Sequence, residues 1–284
     1  MPVPPKVQRM IDTMHEPALP DRPQRWLIAA LTIAIFLWLD TFHLDLFRSV
    51  AGDWTGYPRI AALVVLGYGA QLLVPVLVAA ALFGPGRALD ALGLNRSIVT
   101  ALAVAMAGTA LLPVGYAVIA SFAPPADLAI VALRGSVLPG VVEEVLYRAF
   151  LFGFLFRFAG WGFLPAALAG AALFGGAHLY QGETFADSAA IFAITALGAL
   201  WFAWLYVEWG YNVWVPAAFH VLMNLYWELF AIDDTALGPT AAIVLRLAVI
   251  AVSVAVTFVI VRRQGRERLV RGRRWIRGGA VDST

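Results

Sequence analysis

The chain runs to 284 residues, 61% of them hydrophobic and only 13% charged, at a mean hydropathy of +0.80; this excludes an ordinary soluble domain and points to a polytopic membrane protein. With no cysteine, disulfides, thiolate nucleophiles and thiolate metal sites are excluded, so any chemistry must come from oxygen and imidazole groups. A formal net charge of +2 does not indicate a nucleic-acid partner, because the basic residues gather at the two ends of the chain, where they suit a phospholipid-facing anchor.

Residues 1–25 form a polar, Pro-rich leader with Lys6, Arg9, Arg22 and Arg25. It lacks a signal-peptide pattern, so the first apolar run is expected to be retained as a helix. That run starts at Trp26 and reaches about Trp38, continuing as an amphipathic turn through Asp40, His43 and Asp45. Further apolar runs follow at about 60–83, 98–122, 137–157, 162–179, 188–207, 213–230 and 240–261, separated by short links such as 84–97 and 231–239. Each is about the length of one bilayer crossing. The link 123–136 is expected to hold a short interfacial helix before Pro139, and the tail 262–279 carries eight arginines directly after the last span. Strand-type alternation is absent, and short of a closed barrel only helices hide their backbone groups in lipid.

The expected fold is therefore all-α: a polytopic membrane protein of about eight transmembrane helices with an intramembrane polar cavity. It comprises a cytoplasmic leader (1–25), a single transmembrane domain (26–262, motif core 130–230) and a basic cytoplasmic tail (263–284). Lysines and arginines of the links place both termini in the cytoplasm, and the expected location is a bacterial cytoplasmic membrane.

Three motifs stand out against the apolar background. The first is 141-VVEEVLYRAF-150, with two glutamates and an arginine inside an expected span. Each charge costs about 2.5–3.5 kcal/mol at a bilayer centre on insertion scales, so such a trio calls for a use. Positions four apart share a helical face while neighbours sit about 100° apart. Glu144 and Arg148 can therefore neutralise one another, and Glu143 points elsewhere, unpaired along its own helix; alternatively, all three belong to one inter-helix ion-pair network, although Arg246 is the one other Lys or Arg within a span.

The second motif, 174-FGGAHLY-180, sets His178 near the end of the fifth span behind two glycines that allow close helix approach. The third, 219-FHVLMNLYWE-228, puts His220 and Asn224 four apart on one face. Taken singly, His178 reads equally as an inter-helix hydrogen bonder, and His220 with Asn224 as helix glue. Together, a carboxylate plus an imidazole can hold and deprotonate water, while a second imidazole and a carboxamide can donate to the oxyanion formed at an attacked carbonyl. That combination suits acyl-group hydrolysis.

The ordered set Glu-Glu-x-x-x-Arg (Glu143, Glu144, Arg148), Phe-x-x-x-His (Phe174, His178) and His-x-x-x-Asn (His220, Asn224) resembles the CAAX protease and bacteriocin-processing intramembrane endopeptidases, over roughly residues 130–230. By that resemblance Glu143 and His178 activate water, His220 and Asn224 form the oxyanion site, and Glu144 with Arg148 braces the helix. The resemblance implies an endopeptidase with a membrane-associated protein or peptide as substrate and the lipid bilayer as surroundings; the lack of a His-Glu-x-x-His pair and the fit of Asn224 to an oxyanion favour a metal-free, glutamate-type reading. Zinc through Glu143, His178 and His220 is the alternative. A small-molecule or ion transporter and a catalytically idle scaffold or immunity-type protein are the competing functions; the internal repeats and paired broken helices common in transporters are not evident. Threading the spans backwards from the arginine-rich tail puts Glu143 about two turns below the outer surface, in a funnel that opens outward. That orientation favours an exported substrate over a prenylated cytoplasmic one.

Overall fold

A computed structural model of the protein describes residues 21–278. Lys6, Arg9 and His15 of the leader lie outside the described residues. Eight long helical segments are present among those described: α1 (Arg22–Ala51), α2 (Gly56–Phe83), α3 (Ile98–Ile119), α4 (128–157), α5 (Phe163–Gly176), α6 (Phe185–Glu208), α7 (Trp214–Leu229) and α8 (Thr240–Arg263). No strand occurs among the described residues beyond an isolated bridge between Trp161 and Arg277.

Local chemistry sets several of the helix starts. Asp21 caps α1 by accepting from the Gln24 N–H at 2.9 Å, with Pro23 in the first turn, where its missing N–H costs nothing. A reciprocal capping box, Thr184 with Asp187, starts α6.

Six of the eight helices, α1, α2, α3, α5, α6 and α8, are long and apolar enough to cross a membrane, α5 when counted with the short turn that follows it. The other two differ for identifiable reasons. Helix α7 has only 16 residues, and α4 carries Arg134, Glu143, Glu144, Arg148 and Arg157. Helix α4 is also the most interior helix, with residues 144–159 all buried. A polar helix inside a bundle is shielded by apolar neighbours, while the helices that face outward carry the apolar surface.

Helix α4 departs from the sequence expectation. It begins at 128 rather than 137, so most of the link expected to form a separate interfacial helix is instead its first two turns, and it runs through Pro139 without a break. Two widened, π-type stretches, 132–137 and 144–152, accommodate this; such turns often mark functional sites. The tolerance for Pro139 has a local cause. A proline has no N–H to donate to the carbonyl four residues back, and that carbonyl, Gly135 O, instead accepts from Asn224 Nδ2 on α7 at 3.0 Å.

Helices α5 and α6 form an antiparallel hairpin, and α7 lies against both α3 and α4. The α4–α7 crossing depends on Gly140. A Cβ there would lie 2.8 Å from the Val221 backbone N and 3.1 Å from its Cα, so only a bare Cα admits the neighbouring backbone.

The arginine-rich tail has contacts that the sequence reading did not include. Read from the sequence as a lipid-facing anchor, it folds back in part onto the ends of α4–α7. Arg266 donates to Glu208 O at 2.8 Å, buried Arg274 donates to Leu269 O at 3.0 Å and to Tyr211 Oη at 3.1 Å, and Gly278 N donates to Gly160 O at 3.1 Å. The cause is Glu208, only 1% exposed. Its carboxylate accepts the backbone N–H groups of Leu269 and Val270 at 3.2 and 3.0 Å, which draws the tail inward. Arg262, Arg263, Arg268, Arg273 and Arg277 remain exposed.

Candidate active site

Between α4, α5, α6 and α7 lies a cavity of about 460 Å³. Glu143, His178, His220 and Asn224, drawn from α4, the turn after α5, and α7, all line it, together with Arg148 and Phe174. Glu144 stands behind this wall and is fully buried.

The two adjacent glutamates have different surroundings. Glu144 Oε2 lies 3.1 Å from Arg148 Nε, the i,i+4 pair expected from the spacing. Its other oxygen lies 2.8 Å from His220 Nδ1 on α7, a contact across 76 positions of sequence. One carboxylate thus ties the arginine of its own helix to the imidazole of another. Among the described residues Glu143 has no hydrogen bond or ion pair to the protein, and it lies within electrostatic reach of His220, His178 and Arg148.

Each imidazole is held at Nδ1. His178 follows the C-terminal end of α5, and its Nδ1 lies 2.7 Å from Phe174 O, a carbonyl of the last turn. A carbonyl can only accept, so Nδ1 carries the proton there and Nε2 of the neutral ring keeps its lone pair. The same logic applies to His220: an ionised Glu144 can only accept, so its partner is Nδ1–H. Nε2 of His220 is then an acceptor in the neutral ring and a donor only in the imidazolium.

Asn224 is placed by Gly135 O, which takes one of its two amide hydrogens. Phe174 does more than its place in the motif suggested. Its ring sits 4.6 Å from that of His178, 5.1 Å from that of Tyr147 and 4.4 Å from the Arg148 guanidinium carbon.

Several contributors carried no sequence signal. Phe202 on α6 packs against His220 at 5.6 Å between ring centroids and against Arg148 at 5.3 Å. Tyr147, one turn after Glu143, donates to Asp40 Oδ1 on α1 at 2.7 Å and so ties the first helix to the site helix. Asp40 was read as part of an amphipathic turn; the partner that explains it is 107 positions away. Arg246, the isolated charge of α8, clamps the link after α7 by donating to Ala236 O at 2.7 Å and to Leu237 O, with Trp227 under its guanidinium. Gln181 holds the same link through Ala236 N at 2.8 Å. Both residues line the mouth of the cavity. That mouth lies at the α5–α6 and α7–α8 links, the end of the bundle opposite to the docked tail.

Among the described residues no three His, Asp or Glu side chains cluster closely enough to hold a metal ion. The zinc alternative would require Glu143, His178 and His220 to draw together, with both Nδ1 atoms already engaged and each Nε2 left for the ion.

These features define an all-helical protein with six membrane-length apolar helices and a cavity bordered by one charged helix. Residues 125–226 match the family model described as type II CAAX prenyl endopeptidase Rce1-like. The matched segment takes in all seven motif residues, and it supports the assignment to the CAAX protease and bacteriocin-processing family, a family of membrane proteases. No curated protein and no solved structure matches the chain.

Proposed function

We propose that the protein is a glutamate-type intramembrane endopeptidase that hydrolyses a peptide bond of a membrane-associated protein or peptide, in a cavity enclosed by about eight transmembrane helices. The observation that carries this proposal is the unequal use of two neighbouring carboxylates. Glu144 is consumed by Arg148 and His220, whereas Glu143 faces the same cavity as His178, His220 and Asn224 with no partner of its own.

In the proposed step, Glu143 and His178 Nε2 orient a water. The water oxygen attacks the carbonyl carbon while its proton passes to Glu143, and the carbonyl π pair moves onto oxygen. The charge that develops there is met by the free amide hydrogen of Asn224 and by Nε2–H of His220 when its ring carries both protons, with Nδ1–H held by Glu144 at 2.8 Å. As the tetrahedral species collapses, the C–N bond breaks and Glu143 returns the proton to the leaving amine. The step needs no metal; were zinc present, Glu143, His178 and His220 would hold it and it would supply Lewis-acid activation of the water.

Comparison of the termini in membrane and secreted fractions from cells with the native protein and with Glu143→Ala tests the function. Loss of a defined new terminus in the variant is the expected result; no shifted terminus would leave the transporter or the idle scaffold as the better account. Orientation is tested separately. With the tail in the cytoplasm the cavity opens outward, so a single Cys at Gln181 should react with an impermeant maleimide in intact cells and one at Gln264 should not. The reverse pattern would restore a cytoplasmic substrate.

A further inference from the structure

We infer that Glu228 is a specificity-determining residue that seats a basic side chain of the substrate, lysine or arginine, on the mouth side of the scissile bond and within about two residues of it. This rests on the endopeptidase reading above and names a substrate class that the reading leaves open.

His220, Asn224 and Glu228 follow one another at four-residue steps along one face of α7, and all three line the cavity. A step of four residues rises about 6 Å, so Glu228 lies that far beyond Asn224 toward the mouth, the reach of about two residues of extended peptide. Its carboxylate rests against α4 at Gly135, where a Cβ would come within 2.7 Å of Oε1. The carbonyl of the same glycine holds Asn224. The half-buried acid is therefore part of the wall beside the proposed oxyanion donor.

Among the described residues the Glu228 side chain has no hydrogen bond or ion pair, and the charge within its electrostatic reach is a second carboxylate, Asp234. Helix stability does not account for it either. Glu228 sits in the last turn of α7, where the negative end of the helix dipole disfavours an acid, and no basic residue of that turn offsets it. Asp233 is committed to the N–H and the hydroxyl of Thr235, both at 2.8 Å, which leaves Glu228 and Asp234 open. The arginines that line the cavity are engaged elsewhere, Arg148 with Glu144 and Arg246 with the carbonyls of Ala236 and Leu237. Four carboxylates line the cavity against these two guanidiniums, and a cleft walled by one sign of charge draws the opposite sign. Glu143, unpartnered deeper in the same cavity, is a separate sign that a ligand enters it. A bare metal ion does not suit the mouth, because no three acids there cluster closely enough among the described residues. A lysine or arginine on its flexible stem needs only the two open carboxylates.

The test reads binding, so it does not depend on knowing the natural substrate. The probes are dansyl-labelled Leu/Ala peptides that differ only at one central position, which holds Lys, norleucine or Glu. Full-length protein in phosphatidylcholine nanodiscs, with empty discs subtracted, should bind the Lys peptide about threefold to tenfold tighter than the norleucine peptide and bind the Glu peptide most weakly. Glu228→Gln, which breaks no bond of the native fold, should remove most of the Lys preference. Glu228→Lys should reverse it in favour of the Glu peptide, and it keeps the test decisive if the glutamine variant fails to fold, as judged by thermal melting. A Lys preference undiminished in either folded variant, or none in the native protein, overturns the assignment. Failure of the protease reading would look different: the Glu228-dependent preference would persist while Glu143→Ala altered no terminus in cells. If the protease reading alone holds, Glu143-dependent cuts appear with no enrichment of Lys or Arg beside them.

Discussion

The bundle buries charge at both of its ends, and the two ends treat it differently. At the tail end, Glu208 accepts two backbone N–H groups, and Arg157 donates to Ala91 O at 2.6 Å and stacks on Tyr211 at 4.1 Å. Arg274 donates to Leu269 O and Tyr211 Oη. At the cavity end, Glu143 lacks a partner and Arg148 leaves both terminal nitrogens unbonded. Burial alone therefore does not mark a site. Charges at the tail end have most of their bonds made, although atoms such as Arg157 Nε are left over, and they hold the structure together, whereas Glu143, which lines the cavity without a partner, is available to a ligand.

The sharpest way to break this contrast is Glu143→Gln. Removing the free carboxylate should lower processing by about 10²–10⁴-fold while the melting midpoint stays close to native, because no native bond is lost; a large drop in thermal stability would place Glu143 in the structural class instead. Glu144→Gln should do the opposite. It strands buried Arg148 and weakens the hold on His220, at a cost of about 3–5 kcal/mol, visible as a lower yield of folded protein and an earlier melt. Equal destabilisation by both glutamine variants would erase the division between the neighbours.

Gly140→Ala tests the helix crossing on which the site rests. The added methyl meets Val221 backbone, so α4 and α7 must separate, at about 1–3 kcal/mol, with activity falling further than stability because Glu144 and His220 move apart. Glu208→Gln should give the smallest effect, about 1–2 kcal/mol from the weakened carboxylate bonds. It should speed tryptic cleavage within 266–277 and leave processing unchanged; altered processing would mean that the two ends are coupled.

Much of this contrast was legible in the sequence where it rested on near neighbours. The 100° step between Glu143 and Glu144, and the four-residue step to Arg148, identified the paired and the free carboxylate. Six of the seven motif residues, all but Glu144, line the cavity. Contacts over long separations left no local trace: Glu144 to His220, Tyr147 to Asp40, and Phe202 against Arg148. The start of α4 was placed too late because Arg134 and Gly135 read as part of a link. One further signal was present but not used. Pro139 orphans the carbonyl of Gly135, and an orphaned carbonyl inside a helix asks for a donor such as Asn224. The docking of the tail was missed for a different reason. Its eight arginines suggested lipid, while the residues that draw it inward, Leu269 and Val270, bond through their backbone to a glutamate some sixty positions earlier.

That last contact carries a consequence for the order of events at the ribosome. Glu208 and its surroundings are made well before residues 269–278. During synthesis the carboxylate must therefore wait at the water interface, hydrated, until the tail arrives to replace that water with two amides. The tail end of the bundle closes only once Leu269 and Val270 have been made. A chain stopped near Arg263 would carry every motif residue of the cavity and still lack the groups that let Glu208 be buried.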